Sequence, residues 1–178
     1  MSYSTFDLYA DSATDAIESG KLDKAFEIWK KAANASKPPE NAPVILSRMA
    51  GDIANAHFEK NEDEKAHAVY EEAFETLTEK LPESIAPCWI ATHASERLIQ
   101  EERYDKAQRW MEKALEVIRQ TGRSGRIEEA YVRRDLATTL QYQEKTGEAL
   151  EQVEKALAVD RRVRSEERRV GKECIVKC

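Results

Sequence analysis

The sequence predicts an all-α fold in which four helical hairpins stack as a repeat array. The main observation is a recurring pattern: a small residue, a larger residue four positions later, and alanine three positions after that. The pattern begins at Ala25, Ala66, Ala107 and Ala149, which are 41, 41 and 42 residues apart. Such a period is typical of helical repeat proteins, in which each unit buries its apolar face only against its neighbours.

The composition agrees with a helical protein and excludes several classes of function. Charged residues make up 35% of the chain, which has only six glycines and five prolines. The net charge of −6 disfavours a nucleic-acid or anionic-membrane surface, because phosphate binding depends on clustered Lys and Arg. The sequence has no run of about 18 apolar residues and no secretory signal pattern, so we expect no membrane span and a cytoplasmic protein.

The first repeat covers about residues 6–36, and the second covers about residues 43–81. Each is expected to contain two helices joined by a tight turn. Gly20 supplies the left-handed backbone conformation at the first turn, and Asn61 supplies it at the second, since asparagine tolerates that conformation better than most residues. Pro82 marks the end of the second repeat, because proline cannot continue a helix interior.

The third repeat covers about residues 83–119, and the fourth covers about residues 127–163. Thr146 and Gly147 indicate the turn inside the fourth repeat. The result is eight helices in four antiparallel pairs, with alanine at each helix crossing so that the two helices can approach closely. Trp29 and Trp110 fall on packing helices and are predicted to be buried.

The end of the chain differs from the repeats. Arg164–Cys174, with the sequence RSEERRVGKEC, resembles a conceptual translation of a short-read sequencing adapter. We therefore expect the repeat array to occupy residues 1–163 and a non-native tail to occupy residues 164–178; the alternative is a basic, mildly amphipathic helical end. Two of the three cysteines lie in this tail, and the remaining Cys88 can form no internal disulfide, which fits a reducing compartment.

Metal and catalytic sites are not predicted. His57 occupies a helix-packing position and should be buried, whereas His67 should be exposed. His93 and Glu96 are three residues apart on one helix face, with Cys88 nearby in sequence, but a single His–Glu pair is weak support for zinc. The sequence contains none of the common phosphate-binding, nucleophile-elbow or zinc-protease motifs, and no carboxylate pair stands out as acid and base. We expect neither a cofactor nor enzymatic activity.

The repeats resemble those of a known family. The motifs GKLDKAFEIWKKA, NEDEKAHAVYEEA, ERYDKAQRWMEKA and TGEALEQVEKA are similar to tetratricopeptide repeats, over about Phe6 to Arg162. The period near 41 exceeds the roughly 34 residues usual for the family, so longer helices are expected. The aromatic residue that the family places early in the first helix is present as Tyr9 but is replaced by Ala50, Ala91 and Arg133 in the other repeats.

This resemblance implies a right-handed superhelix whose first helices line a concave groove that binds a partner peptide or helix. Co-chaperone repeats of the family bind a C-terminal carboxylate through a cationic clamp. Such a clamp is not expected here, because the matching positions lack the required Lys and Arg. A partner segment with basic residues and an apolar anchor would suit the groove, although charged helix faces are often merely solvated. The implied groove residues are Arg48, Asp52, Asn55, Trp89, His93, Glu96, Tyr131, Arg134, Asp135 and Thr138.

The sequence therefore predicts a non-catalytic scaffold for protein–protein interaction. A second hypothesis is that the repeats form the sensor or regulatory arm of a larger protein whose effector domain is missing from this sequence. A third is self-association through an uncapped apolar edge formed by Leu150, Val153, Leu157 and their neighbours, since helical arrays ordinarily need a polar cap at each end.

Overall fold

A computed structural model describes the backbone of residues 5–36 and 38–176 and the side chains up to residue 169. Within these residues the protein forms eight α-helices and no β-strand, which confirms the predicted all-α helical-hairpin solenoid. In chain order the helices are α1 (Thr5–Glu18), α2 (Leu22–Ala33), α3 (Ala42–Glu59), α4 (Asp63–Lys80), α5 (Ala86–Gln100), α6 (Tyr104–Gln120), α7 (Ile127–Tyr142) and α8 (Thr146–Val176).

The chain divides into two compact units, Met1–Ala94 and Ser95–Cys178, with the boundary inside α5. In the first unit, α1 pairs with α2 and α3 pairs with α4, while α3 also lies against α1 and α2. In the second unit, α7 lies between α6 and α8 and contacts both. Within each unit these helices therefore pack on neighbours that are close in sequence, as expected for a repeat array.

Each repeated alanine lies in the first turn of the second helix of its hairpin, close to the point where the chain reverses. Ala25, Ala66 and Ala107 are completely buried, and Ala149 is nearly so. A methyl side chain lets two helix backbones approach closely, whereas a larger side chain would have to displace its neighbours. The same small residue is therefore buried at the same position, five residues after the turn, in all four hairpins.

Each hairpin turns through one residue in the left-handed conformation. These residues are Gly20, Asn61, Glu102 and Glu144, with φ of 70°, 58°, 59° and 61° respectively. At the first turn, the Gly20 amide donates to the Ile17 carbonyl and the Lys21 amide donates to the Ala16 carbonyl, both at 2.8 Å. The same two hydrogen bonds occur at the other three turns, so all four first helices end in a Schellman motif.

The expected conformations of Gly20 and Asn61 are confirmed, but the predicted position of the fourth turn is wrong. Thr146 and Gly147 begin α8, and the left-handed residue is Glu144. The turn is placed by the two helices that pack on either side of it. Glutamate adopts a conformation that glycine would adopt at lower cost, because the packing of the hairpin leaves no alternative.

The two packing tryptophans are buried as predicted. The Trp29 indole nitrogen donates to the main-chain carbonyl of Leu46 at 2.8 Å. This bond joins α2 of the first hairpin to α3 of the second and fixes the position of one helix along the other. A buried Trp N–H requires such a partner, so the bond also explains why tryptophan is tolerated at this junction.

Arg133 occupies a position where the family expects an aromatic side chain. Its guanidinium contacts the Glu129 carboxylate at 2.7 Å and donates to the Gln152 side-chain oxygen at 2.7 Å. Arg133 and Glu129 are both largely shielded from solvent, and Gln152 lies on α8. A polar contact between α7 and α8 thus replaces the expected aromatic contact.

Helix α8 continues past Val163, the predicted end of the fourth repeat, as far as Val176. Val163 packs against the small apolar cluster of Ala130, Ala156 and Val159, so the hairpin core extends to that point. Beyond it, the described side chains are exposed. The interpretation of residues 164–178 as a non-native tail stays a prediction, and Cys178 lies outside the described residues.

The packing of the alanines can be tested by enlarging one of them. We expect Ala107→Leu to lower the free energy of unfolding by roughly 1 to 3 kcal/mol, because the added atoms overpack a closed helix crossing. Ala68→Leu, at an exposed position of α4, is the matched control. Equal midpoints for the two variants in urea denaturation would contradict the proposed crossing.

The steric cost of the left-handed turn residues can be tested by replacing one of them with glycine. Glu144→Gly should stabilise the protein by about 1 kcal/mol, because glycine removes the steric cost of the left-handed conformation. Glu71→Gly, at an exposed position inside α4, should destabilise it by a similar amount through the helix propensity of glycine. Thermal unfolding followed by circular dichroism distinguishes the two signs.

Candidate functional site

The predicted groove residues lie on the first helices of the hairpins, at positions that repeat with the turns. Counted back from each left-handed residue, Asp52, His93 and Asp135 are equivalent to one another and to Asp11. Most of these side chains are exposed, and Trp89 and Asp135 are partly buried. The remaining groove residues fall into two neighbouring rows, formed by Arg48, Trp89 and Tyr131 and by Asn55, Glu96 and Thr138.

In the first unit, α3 presents Arg48, Asp52 and Asn55 to solvent along one face. The pKa of Asp52 is raised, because neighbouring atoms shield its carboxyl group from water. The positive charge of Arg48 acts in the opposite direction but is the smaller effect. Val44 extends the same face by one turn and is an exposed apolar residue. Sequence reasoning missed Val44, although its spacing of four from Arg48 could have identified it.

In the second unit, α7 presents the most distinctive surface. Tyr131 is 52% exposed and Tyr142 is 56% exposed, and Ile127 at the start of the helix is also exposed. Arg134 lies 4.6 Å from the centre of the Tyr131 ring, in a cation–π arrangement. We call Ile127, Tyr131, Arg134, Asp135, Thr138 and Tyr142 the α7 face. Ile127 was not predicted, although its spacing of four from Tyr131 places it on the same side of the helix.

Tyr142, at the C-terminal end of the α7 face, packs against a second aromatic ring. The Tyr142 ring stacks on the Tyr104 ring, with ring centres 5.0 Å apart and an angle of 12° between the planes. Tyr104 is the first residue of α6, so the stack joins the end of α7 to the start of α6. Tyr142 therefore has a fixed position while half of its surface remains available for contact.

Asp135 on the α7 face has an acidic neighbour, Glu96 of α5. Burial raises the pKa of Asp135, the nearby negative charge of Glu96 raises it further, and Arg134 lowers it. The positive charge of Arg134 therefore compensates only in part for the cost of ionising Asp135. A cation placed beside the two carboxylates would favour the ionised form of Asp135.

The two remaining histidines lie in the core rather than at a site. His57 is buried as predicted, and its Nδ1 lies 2.6 Å from the Glu62 carboxylate. Hydrogen bonds from Lys65 and His57 lower the pKa of Glu62. The prediction that His67 is exposed is wrong: it is buried, with its ring 5.3 Å from the Phe58 ring in an edge-on contact. The aromatic neighbour on α3 turns this residue of α4 inward.

In the described part of the chain, no group of three or more His, Cys, Asp and Glu side chains is arranged to hold a metal ion. None of the described helices is long and apolar enough to cross a membrane. Cys88 is buried and is not part of a disulfide.

Comparison with known proteins agrees with the observed architecture. Residues 96–162 match the family model described as tetratricopeptide repeat. No curated protein matches the sequence. Among solved structures, BtubC (BKLC) from P. vanneervenii is similar over 90% of this chain and 75% of its own, with 18% identity and a TM-score of 0.58. At this level of identity the similarity concerns the fold alone.

Two other solved structures are similar with lower scores. MamA AMB-1 matches over 88% of this chain and 92% of its own, with 17% identity and a TM-score of 0.37. A Podospora anserina protein with nearly identical TPR-like repeats matches over 87% of this chain and 94% of its own, with 12% identity and a TM-score of 0.36.

Proposed function

We propose that the protein acts as a non-catalytic scaffold that binds a segment of a partner protein on the outward faces of its first helices, because residues 96–162 match the tetratricopeptide repeat family model. Tetratricopeptide repeats generally mediate protein–protein interaction. The observation that carries the proposal is the α7 face, where exposed aromatic and apolar side chains lie beside a carboxylate pair.

The chemistry of the α7 face supports a particular kind of partner. Exposed tyrosines offer a large contact area and lose little conformational entropy on binding, which makes them frequent binding hot spots. The carboxylates of Asp135 and Glu96 favour a Lys or Arg on the partner. We therefore infer that the partner segment carries one apolar anchor for Tyr131 and Ile127 and a basic residue for Asp135.

The exposed residues of α3 fit the same proposal. Val44 offers an apolar contact, and Asp52 offers a carboxylate whose pKa is also raised by burial. Both are arranged on α3 as Ile127 and Asp135 are on α7, with an apolar residue eight positions, or just over two helical turns, before an acidic one. Trp89 and His93 of α5 are further proposed contacts in the first unit, and Glu96 of α5 is a further proposed contact in the second.

Partner chemistry can be tested by selecting peptides from a randomised displayed library against the immobilised full chain. The expected peptides share a basic residue at a fixed distance from an apolar one. Their affinity for the Tyr131→Ala, Tyr142→Ala double variant, which removes both exposed rings of the α7 face, should fall by roughly thirtyfold or more, which corresponds to the loss of a hot spot of about 2 kcal/mol. Circular dichroism checks that the variant keeps its helix content.

Two results would contradict this proposal. Selected peptides that are predominantly acidic would exclude the proposed role of Asp135 and Glu96. Peptides that bind the double variant as tightly as the original chain would place the binding surface on a different face. Glu71→Gln, which neutralises an exposed carboxylate on α4, is the matched control and should leave the affinity unchanged.

Asp135 should affect stability and binding in opposite directions. Its folded-state pKa is raised above the unfolded value, so its ionisation costs stability at pH values above the folded pKa. Asp135→Asn should therefore increase the free energy of unfolding at pH 7, and the gain should shrink as the pH falls through the raised folded pKa and be lost at the ordinary aspartate pKa. The same variant should bind a basic peptide about tenfold or more weakly, a loss of about 1.4 kcal/mol.

These two effects are measured by urea denaturation across the pH range and by fluorescence anisotropy of a labelled peptide. A variant that is less stable at pH 7 would show that Asp135 has a structural role. A variant that is more stable and binds the peptide equally well would remove Asp135 from the binding surface.

A further inference from the structure

The four hairpins can be aligned position by position from their left-handed turn residues. In this alignment, three positions on the outer side of α8 are occupied by Leu150, Val153 and Leu157. Their counterparts on the earlier second helices are Phe26, Trp29 and Ala33 on α2, His67, Tyr70 and Phe74 on α4, and Gln108, Met111 and Leu115 on α6.

The counterparts on α2, α4 and α6 are all buried or partly buried, whereas the residues on α8 are exposed. Leu150 is 58% exposed, Val153 38% and Leu157 47%. On α2 the corresponding face is covered by α3, as the bond from Trp29 to Leu46 demonstrates. We call Leu150, Val153, Glu154 and Leu157 the C-terminal edge. This edge has the same apolar character as surfaces that elsewhere receive the first helix of another hairpin.

The first hairpin carries a matching surface on α1. Leu8 on α1 is 56% exposed, whereas its counterparts Met49 on α3 and Val132 on α7 are buried. Both α3 and α7 lie against the second helix of the preceding hairpin. Leu8 therefore occupies a position that is normally covered by the hairpin before it. We call Leu8, Ser12 and Lys31 the N-terminal edge.

The charges of the two edges are complementary. Inside the first unit, Lys30 on α2 forms an ion pair with Glu72 on α4 at 2.9 Å. The counterpart of Lys30 on α8 is Glu154, and the counterpart of Glu72 on α2 is Lys31. Both signs are reversed, so a pair of opposite charges would form again if α2 of a second copy packed on α8 as α4 packs on α2. Glu154 and Lys31 are exposed, and neither has an ion-pair partner within the described residues.

We propose that this protein self-associates head to tail, with the N-terminal edge of one copy packed on the C-terminal edge of another. The exposed leucines of both edges and the Lys31–Glu154 pair support a second copy of this chain as the occupant. A dimer formed through two different surfaces keeps one unused edge of each kind, so further copies can add to it as the concentration increases.

One residue limits the strength of this contact. Ser12 lies on the N-terminal edge at the position of Ile53 on α3 and Leu136 on α7, both of which are buried. Packing a second copy on this edge would therefore bury a hydroxyl group where the internal junctions bury a large apolar side chain. The contact between copies is weaker than the contact between consecutive hairpins, and the association is reversible.

The test uses the full chain and two variants, each of which places a charge on one edge. Leu8→Glu blocks the N-terminal edge, and Leu150→Glu blocks the C-terminal edge; both residues are exposed, so the fold is retained. In sedimentation velocity, the original chain should show an average mass that rises with concentration. Each variant alone should be monomeric, and an equal mixture should form a dimer and nothing larger, because the mixture contains one intact edge of each kind.

Two outcomes would overturn the proposal. If the original chain is monomeric at all concentrations, the edges do not recognise each other. If Leu8→Glu still dimerises while Leu150→Glu does not, the contact is a symmetric one between two α8 helices. Circular dichroism of each variant checks that a loss of association does not arise from unfolding.

A charge exchange gives an independent test of the alignment between copies. Lys31→Glu and Glu154→Lys should each weaken self-association, because each places like charges opposite one another. The double variant should regain most of the association, since the opposite charges are restored in exchanged positions. Additive weakening in the double variant would contradict the proposed contact.

Discussion

The structure depends on the close approach of paired helices at the repeated alanines. Ala25, Ala66 and Ala107 leave no exposed surface, so the opposing helix contacts them directly and cannot slide without a clash. This contact also fixes the turn, because in every hairpin the left-handed residue lies five positions before the alanine. One small side chain per hairpin thus determines which helices pair, how they are aligned along each other, and where the chain reverses direction.

A fixed alignment sorts the remaining positions into packing rows and outward rows. Packing rows must hold apolar side chains of suitable volume, as with Trp29, Tyr70 and Met111, whereas outward rows carry no such requirement. The row that contains Asp52, His93 and Asp135 can therefore vary in charge and size from one hairpin to the next. This separation allows a repeat protein to acquire a specific surface without changing its core, since the two rows lie on different sides of the same helix.

Much of this could be predicted because the strongest signals are periodic. The alanine period gives the hairpins, and Gly20 and Asn61 give two of the turns. The exposed positions of Tyr131 and Arg134 follow from their spacing on α7. Local composition was less informative where packing overrides it. The fourth turn uses Glu144 although a glycine lies three residues later, and His67 is buried because the Phe58 ring of another helix covers it. Neither result can be read from neighbouring residues in the sequence.

Several outward features are unfavourable for an isolated copy of the chain. The raised pKa of Asp135 means that its charge costs stability at neutral pH, and the exposed leucines of both edges leave apolar surface in contact with water. A binding partner reverses each effect: a basic residue would favour the ionised Asp135, and a second copy would cover the leucines. Stability of the single chain and association with partners therefore place opposite demands on the same residues. In both proposed contacts, the ionisation cost of Asp135 and the exposed apolar surface of the leucines are sources of binding free energy, because each is removed when the contact forms.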